Sequence, residues 1–433
     1  MSYTEKEIEN LVQPTKVHRK VYTDPEVFEL EMERLWAKTW IYIGHESQVP
    51  DKGNYITLNY GKVPVVMVRD GDMRVHVLHN RCGHKGVKLV DKPCGKLPAF
   101  RCCYHGWRYR LDGKLLGVPY MESYEDTDFN KDDPQYSMQK LRSDSLRGFV
   151  FATMNDDAPD LRTWMGGAAD VMDNLCDRAP EGEVEAAGGV LRYEHECNWK
   201  MFVENLNDMM HPMVVHRSVV ESALDYIKTL PPDSPRLDEA EILPPFGASY
   251  EVMNDGITGF KYGHHYDGGK TSIHSDYTLD PDYTIAMRKA YGEDRMKEIL
   301  SFNTHNTLYY PSLTIKSAVQ NIRVVRPIAY NKTIIETWSF RLKGAPDSML
   351  KRTLLYSRLI NSNGSMVGPD DLTAYFRAQK GLESQASDWI EMHRHFGKDE
   401  ILSDRVVGKG TSDLDVRTQY SAWREYMTEA CIT

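Results

Sequence analysis

Two short motifs, each with one cysteine ligand and one histidine ligand, constrain this sequence more than any other feature. They are Cys82-Gly83-His84 and Cys102-Cys103-Tyr104-His105, separated by 17 residues. Two such ligands within three or four residues can reach one metal site from a tight loop, and two loops can converge on it. We therefore expect the chain to fold around a metal site formed by Cys82, His84, Cys102 and His105.

The pairing of ligands within each motif distinguishes two kinds of metal site. Structural zinc sites commonly pair like ligands, as C-x₂₋₄-C and H-x₃₋₅-H. Here each motif mixes one cysteine with one histidine. That pattern favours a [2Fe–2S] cluster in which one iron takes two cysteines and the other two histidines. Replacing two thiolates by neutral imidazoles raises the reduction potential well above that of an all-cysteine cluster.

A second motif, NWKMFVENLNDMMHPMVVH at 198–216, carries further candidate ligands. A helix predicted from Trp199 to about Met210 would place Glu204, Asp208 and His211 on one face. Proline at position 212 should end or kink that helix, which leaves His216 free to turn back toward the same point. Alone, the motif fits a polar helix face equally well; downstream of the first motif, it indicates a mononuclear iron site with two histidines and one carboxylate.

The third ligand of that site must come from elsewhere in the chain. The segment GPDDLTAYFRAQ at 368–379 offers Asp370 and Asp371 at the start of a predicted helix. Carboxylates there also suit the helix dipole, so a simple capping role is an alternative. The residue pattern by itself leaves both aspartates open.

Together the two motifs resemble those of the Rieske non-haem iron, aromatic ring-hydroxylating oxygenases, in their large (α) subunit. The resemblance covers C-x-H-x₁₇-C-x₂-H with NRCGH before it and YHGW after it, and the later NWK…EN…D..H….H pattern. Lys85 departs from the family, which usually has arginine there. The resemblance implies that Asp371, followed by Gln379 eight residues later, is the third iron ligand in preference to Asp370.

The resemblance also implies roles for residues that are not ligands. Asp208 would hydrogen-bond an iron-ligand histidine and the Rieske histidine of a neighbouring subunit. His105, Asp208 and His211 would then carry electrons across a subunit interface. Glu204 and Asn205 would be supporting residues.

Length and local patterns predict an α+β protein of more than one domain. A chain of 433 residues is too long for one ordinary core. Short β-rich runs separated by turn signals indicate an all-β unit at 39–155, preceded by a helical segment at 1–38 that we expect to pack on the catalytic domain. Strands at 306–316, 318–329 and 333–342 and helices near 347–362 and 370–384 indicate an α+β domain at 156–433. The resemblance implies that the first is a Rieske domain and the second a helix-grip (START-like) catalytic domain with an antiparallel sheet.

Composition excludes several other classes of protein. The net charge of −10 argues against a nucleic-acid surface. No apolar run of about 18 residues predicts a membrane span, and the polar start predicts a cytoplasmic protein. No G-x-G-x-x-G motif follows a strand, so we expect no NAD or flavin on this chain. Electrons would come from a separate reductase, directly or through a ferredoxin.

The resemblance implies the terminal oxygenase component of a ring-hydroxylating dioxygenase. With O₂ it would cis-dihydroxylate a small aromatic carboxylate or hydrocarbon, as a homotrimer or as α₃β₃ with a small β subunit. One alternative is a Rieske monooxygenase or O/N-demethylase with the same metal sites. Another is a non-enzymatic Rieske electron carrier with a ligand-binding domain.

Some further assignments rest on weaker signals. Phe202, Met209, Val214 and Tyr309 are predicted to line the substrate pocket, although such residues are more often plain core. The sequence predicts a loop at 263–271 and surface positions for His264, His265, His393 and His395. Arg323 and Arg326 could face the carboxylate of an aromatic substrate, but alternating charges on a strand are more often solvated. Cys103 is predicted to pack beside the cluster and Trp107 over it. Cys94, Cys176, Cys197 and Cys431 are interpreted as thiols that bind no metal.

Overall fold

The computed structural model describes residues 3–235, 237–247, 256–269 and 280–428. The chain divides into two compact units. The small unit is Trp36–Leu161, and the large unit joins Met1–Leu35 to Arg162–Thr433. The sequence-based divisions fall after residues 38 and 155. Cys431 lies outside the described residues.

The helices are given in chain order. They are α1 (Glu5–Glu9), α2 (Lys20–Thr23), α3 (Pro25–Glu31), α4 (Leu161–Met165), α5 (Ala169–Asp177), α6 (Trp199–Asn207), α7 (Pro212–Val215), α8 (Arg217–Thr229), α9 (Asp238–Ile242), α10 (Pro281–Tyr291), α11 (Glu293–Ser301), α12 (Asp347–Tyr356), α13 (Gly368–Glu383) and α14 (Leu414–Met427). Two π-helical turns, Met32–Trp36 and Ser357–Asn361, continue α3 and α12.

The strands are numbered in the same way. They are β1 (Val12–Gln13), β2 (Lys16–His18), β3 (Ile41–His45), β4 (Asn54–Tyr60), β5 (Val63–Arg69), β6 (Val75–His79), β7 (Cys94–Lys96), β8 (Phe100–Arg101), β9 (Arg108–Tyr109), β10 (Leu115–Gly117), β11 (Arg142–Leu146), β12 (Phe149–Thr153), β13 (Val184–His195), β14 (Ile257–Gly259), β15 (His265–Gly269), β16 (Asn303–Tyr309), β17 (Leu313–Lys316), β18 (Asn321–Ala329), β19 (Lys332–Leu342), β20 (Trp389–Glu391), β21 (Glu400–Ile401) and β22 (Val406–Gly408).

The small unit is built from three antiparallel sheets. Their strand orders are β6-β5-β4-β7, β11-β12-β3 and β10-β9-β8. The first and third sheets share a core that includes Val66, Leu78, Phe100 and Trp107. Because these strands present apolar side chains to that core, the loops after β6 and β8 are held on a rigid base. The predicted all-β unit is confirmed.

The large unit contains an antiparallel sheet to which nine described strands contribute. Its order is β13-β19-β18-β17-β16-β15-β14-β22-β21. β13 pairs with β19 through ten residue pairs, with a register shift between Ala187 and Val190. The segment at 306–316, predicted as a single strand, is instead a hairpin of β16 and β17 that turns at 310–312. The predicted combination of helices with an antiparallel sheet is confirmed.

Residues 263–271 are not the loop that the sequence predicts. Residues 265–269 form β15, which pairs with β14 and β16 inside the sheet; residues 270 and 271 lie outside the described residues. His264 and His265 are fully buried rather than at the surface. The many glycine and histidine residues obscured a strand whose pairing comes from distant segments. His393 is exposed, as predicted.

Helix α6 ends earlier than predicted, at Asn207 instead of near Met210. Asp208 is already extended, with φ −76° and ψ 107°, and its side chain caps the next turn by accepting from the Met210 amide at 2.8 Å. The predicted helix face shared by Glu204, Asp208 and His211 therefore does not exist. The side chains of asparagine and aspartate readily form hydrogen bonds with nearby backbone groups, which compete with the hydrogen bonds of a helix. This competition explains why α6 ends at Asn207-Asp208.

The N-terminal segment packs on the large unit through a buried ion pair. Glu31 accepts from Lys200 Nζ at 2.6 Å and from the indoles of Trp199 and Trp423 at 2.9 and 2.7 Å. Glu31 and Lys200 are almost completely inaccessible to solvent. Among the helices of the described ranges, none combines the length and the apolar character needed to cross a membrane.

Candidate metal centres

The two Cys/His motifs of the small unit form loops with the same backbone pattern. The Cys82 amide donates to Val87 O at 2.8 Å, and the Cys102 amide donates to Trp107 O at 2.8 Å. Gly86 and Gly106, each four residues after its cysteine, donate back to the cysteine carbonyls at 3.0 and 3.1 Å. Both glycines have positive φ, +75° and +72°, a conformation that other residues rarely adopt. The two loops thus hold their cysteines in equivalent backbone positions, while the histidine follows two residues after Cys82 and three residues after Cys102.

The four predicted ligands of these loops come together. Cys82 and Cys102 are buried, and the rings of His84 and His105 lie 4.7 Å apart between centroids. Trp107 stacks on His84 at 4.8 Å with an interplanar angle of 6°, as predicted for a side chain that shields the site. His84 Nδ1 is buried without a hydrogen-bond partner among the described residues. A buried nitrogen of this kind, beside two thiols and a second imidazole, fits a [2Fe–2S] ligand set.

Tyr109 is a functional residue that the sequence reasoning missed. Its hydroxyl lies 3.0 Å from Cys82 Sγ and accepts from the Gly83 amide at 2.9 Å. Hydrogen bonds to cluster sulfurs raise the reduction potential, so this contact tunes the site. Only its position two residues after Trp107 could have pointed to it.

The other cysteines of the region are outside the ligand set. Cys94 and Cys103 are exposed. The prediction that Cys103 packs beside the cluster is wrong, because the loop directs it outward while Cys102 points inward. Next to it, Tyr104 is 64% exposed and its ring lies 3.8 Å from that of His105.

In the large unit, His211, His216 and Asp371 form a group that could hold a metal ion. One ligand atom from each lies within 4.8 Å of the others. Asp371 Oδ1 is 3.7 Å from His211 Nε2 and 3.5 Å from His216 Nε2. Two imidazoles and a carboxylate converging in this way fit the facial set of a non-haem Fe(II) site, which leaves positions open on one side of the metal.

The outer nitrogen of each histidine is held by a separate group. His211 Nδ1 lies 2.8 Å from the Asp208 carbonyl oxygen, and His216 Nδ1 lies 3.3 Å from Asp370 Oδ2. Each imidazole can therefore donate from Nδ1 and keep Nε2 free for a metal. Asp371 and Asp370 thus face different nitrogens of the site, at the first turn of α13. The pattern of the sequence alone could not separate them.

Burial adjusts the protonation of these groups. It lowers the pKa of His211, which keeps the imidazole neutral at neutral pH and available as a ligand. Burial also raises the pKa of Asp371, while His216 and His211 act in the opposite direction. Asn205 donates to Asp371 Oδ1 at 3.4 Å and so restricts its orientation.

Asp208 lies beside His211 but makes other contacts as well. Its Oδ2 is 3.8 Å from His211 Nδ1, and its Oδ1 is 3.4 Å from Arg394 Nη2. The side chain remains 28% exposed. A partly exposed carboxylate next to His211 is accessible to a group from another molecule.

Glu204 points away from the three-residue group. Its carboxylate accepts from the hydroxyls of Tyr22 at 2.9 Å and Tyr420 at 2.7 Å. Burial raises the pKa of Glu204 to about 7. Glu204 therefore supports the site indirectly, because its hydrogen bonds hold α6 against the N-terminal segment and α14.

The predicted pocket residues are distributed over different environments. Phe202 and Met209 are buried on and just after α6, but Val214 is 69% exposed on α7. Tyr309 is buried and donates its hydroxyl to the Ala168 carbonyl at 2.8 Å. Tyr309 is thus committed to a structural contact, and Val214 faces solvent. These two pocket predictions gain no support from the structure.

Two protein-family models match the chain over most of its length. The Rieske [2Fe-2S] domain matches residues 39–136, and the ring hydroxylating alpha subunit (catalytic domain) matches residues 183–429.

Relatives and solved structures agree with these matches. The large subunit of anthranilate 1,2-dioxygenase from Acinetobacter baylyi is 31% identical over 390 residues, which cover 88% of this chain and 80% of that one. Naphthalene 1,2-dioxygenase with bound indole superimposes with a TM-score of 0.80 at 21% identity, covering 96% and 94% of the two chains. A quaternary ammonium Rieske monooxygenase superimposes with a TM-score of 0.69 at 19% identity and covers 99% of each chain.

Proposed function

Because this chain belongs to the ring-hydroxylating oxygenase α subunits, Rieske non-haem iron enzymes, we propose that it is the terminal oxygenase of a dioxygenase that acts on a small aromatic substrate. The reaction adds both atoms of O₂ to adjacent ring carbons and consumes two electrons and two protons to give a cis-dihydrodiol. The observation that carries the proposal is the convergence of His211, His216 and Asp371 in a chain that also holds the Cys/His loops.

We assign the ligands from this geometry and from the family. Cys82, His84, Cys102 and His105 hold the [2Fe–2S] cluster, and His211, His216 and Asp371 hold the mononuclear iron. When bound, that iron supplies O₂ activation with electrons delivered through the cluster. The Asp208 carbonyl and the Asp370 carboxylate keep protons on Nδ1 of the two histidines. Phe202 and Met209 contribute apolar surface that excludes water from this side of the site.

Asp208 is assigned as the bridge for electrons between subunits. Its partial exposure and its position beside His211 allow its carboxylate to accept from His105 of a neighbouring subunit. We therefore place the chain in a homotrimer or an α₃β₃ assembly, supplied by a separate reductase, directly or through a ferredoxin. The clustered free thiols suit a reducing compartment, and we propose the cytoplasm.

Iron analysis of the purified protein tests the metal assignment. Wild type should contain about three Fe per chain, two in the cluster and one mononuclear. His211→Ala should contain about two, with the visible spectrum of the cluster unchanged. Two Fe per chain in wild type, unaltered by His211→Ala, would instead support an electron carrier without a second iron.

Product analysis tests the reaction. Protein supplied with a surrogate reductase should convert an aromatic substrate to a cis-dihydrodiol that carries both atoms of labelled ¹⁸O₂. A product with one labelled oxygen, or loss of a methyl group, would support the monooxygenase or demethylase alternative.

Substitution of the bridging residue tests the path of electrons. Asp208→Asn should retain both metal centres and the assembly mass measured by light scattering, yet turn over about 10- to 100-fold more slowly. Asp404→Asn, at an exposed position of the same unit, is the control and should turn over normally. Normal turnover of Asp208→Asn would refute the bridge.

A further inference from the structure

Arg323 on β18 is a cation without a matching anion. Its Nη2 donates to Asn306 Oδ1 at 3.0 Å, and its guanidinium lies 5.7 Å from the ring centroid of Phe202. Within the described ranges it forms no ion pair. By contrast Arg326, three residues further along the strand, lies 3.5 Å from Glu336. The expectation of two solvated strand arginines is therefore wrong, since burial desolvates Arg323 and the side chain of Arg326 is only 12% exposed.

Arg323 is largely buried inside the large unit. Burial is the main cause that lowers its pKa, yet the residue keeps accessible surface. Tyr193, Tyr356, Tyr375 and Asp371 are the groups that act on it electrostatically in the opposite sense. Among these four groups only Asp371 is a carboxylate. In the proposed function that carboxylate is an iron ligand, so its negative charge is neutralised by the metal. A desolvated guanidinium next to the iron site is thus left without its own counter-charge.

His195 adds no anion to the surroundings of Arg323. It is buried, packs edge-on against Phe202 at 5.6 Å, and has a pKa lowered by burial to about 4, so it is neutral. Lys316 is a second buried basic group, with Nζ 3.5 Å from His305 Nε2, and burial lowers its pKa well below the ordinary value while the carboxyl of Asp267 opposes that shift. Asp267 acts on Lys316, so Arg323 still has no carboxylate of its own among the described residues.

We propose that Arg323 binds the carboxylate of the substrate, which makes the substrate an aromatic acid rather than a hydrocarbon. This inference rests on the proposed function for the position of the iron. Asn306 accepts one N–H of Nη2 and leaves the other N–H of that nitrogen to form, together with the donor beside it, a two-point contact with a carboxylate. The aromatic ring would lie between this contact and the iron ligands, along the face of Phe202.

Binding of benzoate and of its neutral analogue benzamide tests the inference. Titration calorimetry without O₂ on the iron-loaded protein should show at least about tenfold tighter binding of benzoate than of benzamide. Arg323→Met should weaken benzoate binding about 10- to 100-fold and change benzamide binding less than about threefold. Arg323→Lys should keep part of the preference for benzoate, since it retains the charge but not the fork of donors.

Arg326→Met is the matched control. Arg326 lies on the same strand, three residues from Arg323, so its side chain points to the other face of the sheet. This variant should bind both ligands like wild type. The unfolding midpoint and the iron content of each variant show whether it folds. If Arg323→Met does not fold, the wild-type ratio of benzoate to benzamide and the Arg323→Lys variant decide the question.

The outcomes separate this inference from the proposed function. Equal binding of benzoate and benzamide, or unchanged benzoate binding by Arg323→Met, overturns the role of Arg323 even if a hydrocarbon is dihydroxylated. Benzoate binding that depends on Arg323, without a dihydrodiol from any substrate, supports the anion site and contradicts the proposed reaction.

Discussion

Asp370 and Asp371 are consecutive carboxylates that the fold directs to different atoms. Asp371 faces Nε2 of both histidines, whereas Asp370 faces Nδ1 of His216 only. Asp371→Ala should therefore lose the mononuclear iron and fall to about two Fe per chain. Asp370→Asn keeps an acceptor for His216 Nδ1 and should retain about three. Iron content measured beside the cluster spectrum checks this, and the reverse result would exchange the two roles.

Glu204 makes stability depend on pH. Burial raises its pKa to about 7 from an ordinary value of 4.5, so the folded state binds this proton more tightly than the unfolded state. Its contribution to stability is complete below pH 4.5 and is lost as pH rises through 7, by on the order of 3 kcal/mol. Glu204→Gln should flatten this dependence and be more stable than wild type at pH 8. Unfolding midpoints from pH 5 to 8 measure the effect.

A surface glutamate provides the control for that pH series. Glu9→Gln, at an exposed position of α1, should follow the wild-type dependence. Parallel curves for wild type and Glu204→Gln would show that Glu204 does not titrate in this range.

At the scale of elements, the start of α6 depends on one buried cap. Asn198 Oδ1 accepts from the Lys200 amide at 3.1 Å, and its Nδ2 donates to the Tyr330 carbonyl at 2.8 Å. Its own amide donates to Gln379 Oε1 of α13 at 2.9 Å. Asn198 therefore connects the helix that precedes His211 with the helix that carries Asp371.

Asn198→Ala should lower the free energy of unfolding by about 2–4 kcal/mol, because it removes a cap and takes the amide donor from the partly buried Tyr330 carbonyl and from the buried Tyr22 carbonyl, 3.2 Å away. The matched control is Asp280→Ala, which removes the cap of α10, where Asp280 accepts from the Tyr283 amide at 2.9 Å near the surface. That variant should lose only about 1 kcal/mol. Chemical denaturation of both measures the difference, and equal losses would contradict the structural role of Asn198.

At the scale of the whole molecule, the first 35 residues belong to a unit whose remainder begins at Arg162. The buried Glu31–Lys200 pair joins these distant segments. Glu31→Gln should cost about 3–5 kcal/mol, because it leaves a buried ammonium without its partner. The double variant Glu31→Gln with Lys200→Met should recover part of that loss. Additive losses in this double-mutant cycle would show that the pair is not coupled.

The metal loops and the element types could be predicted because they depend on nearby residues. Each metal loop is a turn of five consecutive residues, Cys82 to Gly86 or Cys102 to Gly106, and the types of those residues determine its conformation and its candidate ligands. Strands with alternating or continuous apolar residues, such as β5, were predicted for the same reason. Helix boundaries, such as the end of α6 at Asn207, are harder to predict. Helical hydrogen bonds and local side-chain hydrogen bonds compete there, and the two arrangements differ little in free energy.

By itself, then, the sequence indicated the family, the class of metal centre and the cysteine and histidine ligand candidates, since ligand type and short spacing are characteristic of that chemistry. Only the tertiary structure decided what depends on segments far apart in the chain. It assigned Asp370 and Asp371 to different nitrogens, placed Tyr109 on Cys82, and buried His265 in a strand. It also buried most of Arg323 at a position where no carboxylate of the described residues forms an ion pair with it. Burial and partner distance arise when distant strands and helices pack together, and no local pattern encodes them.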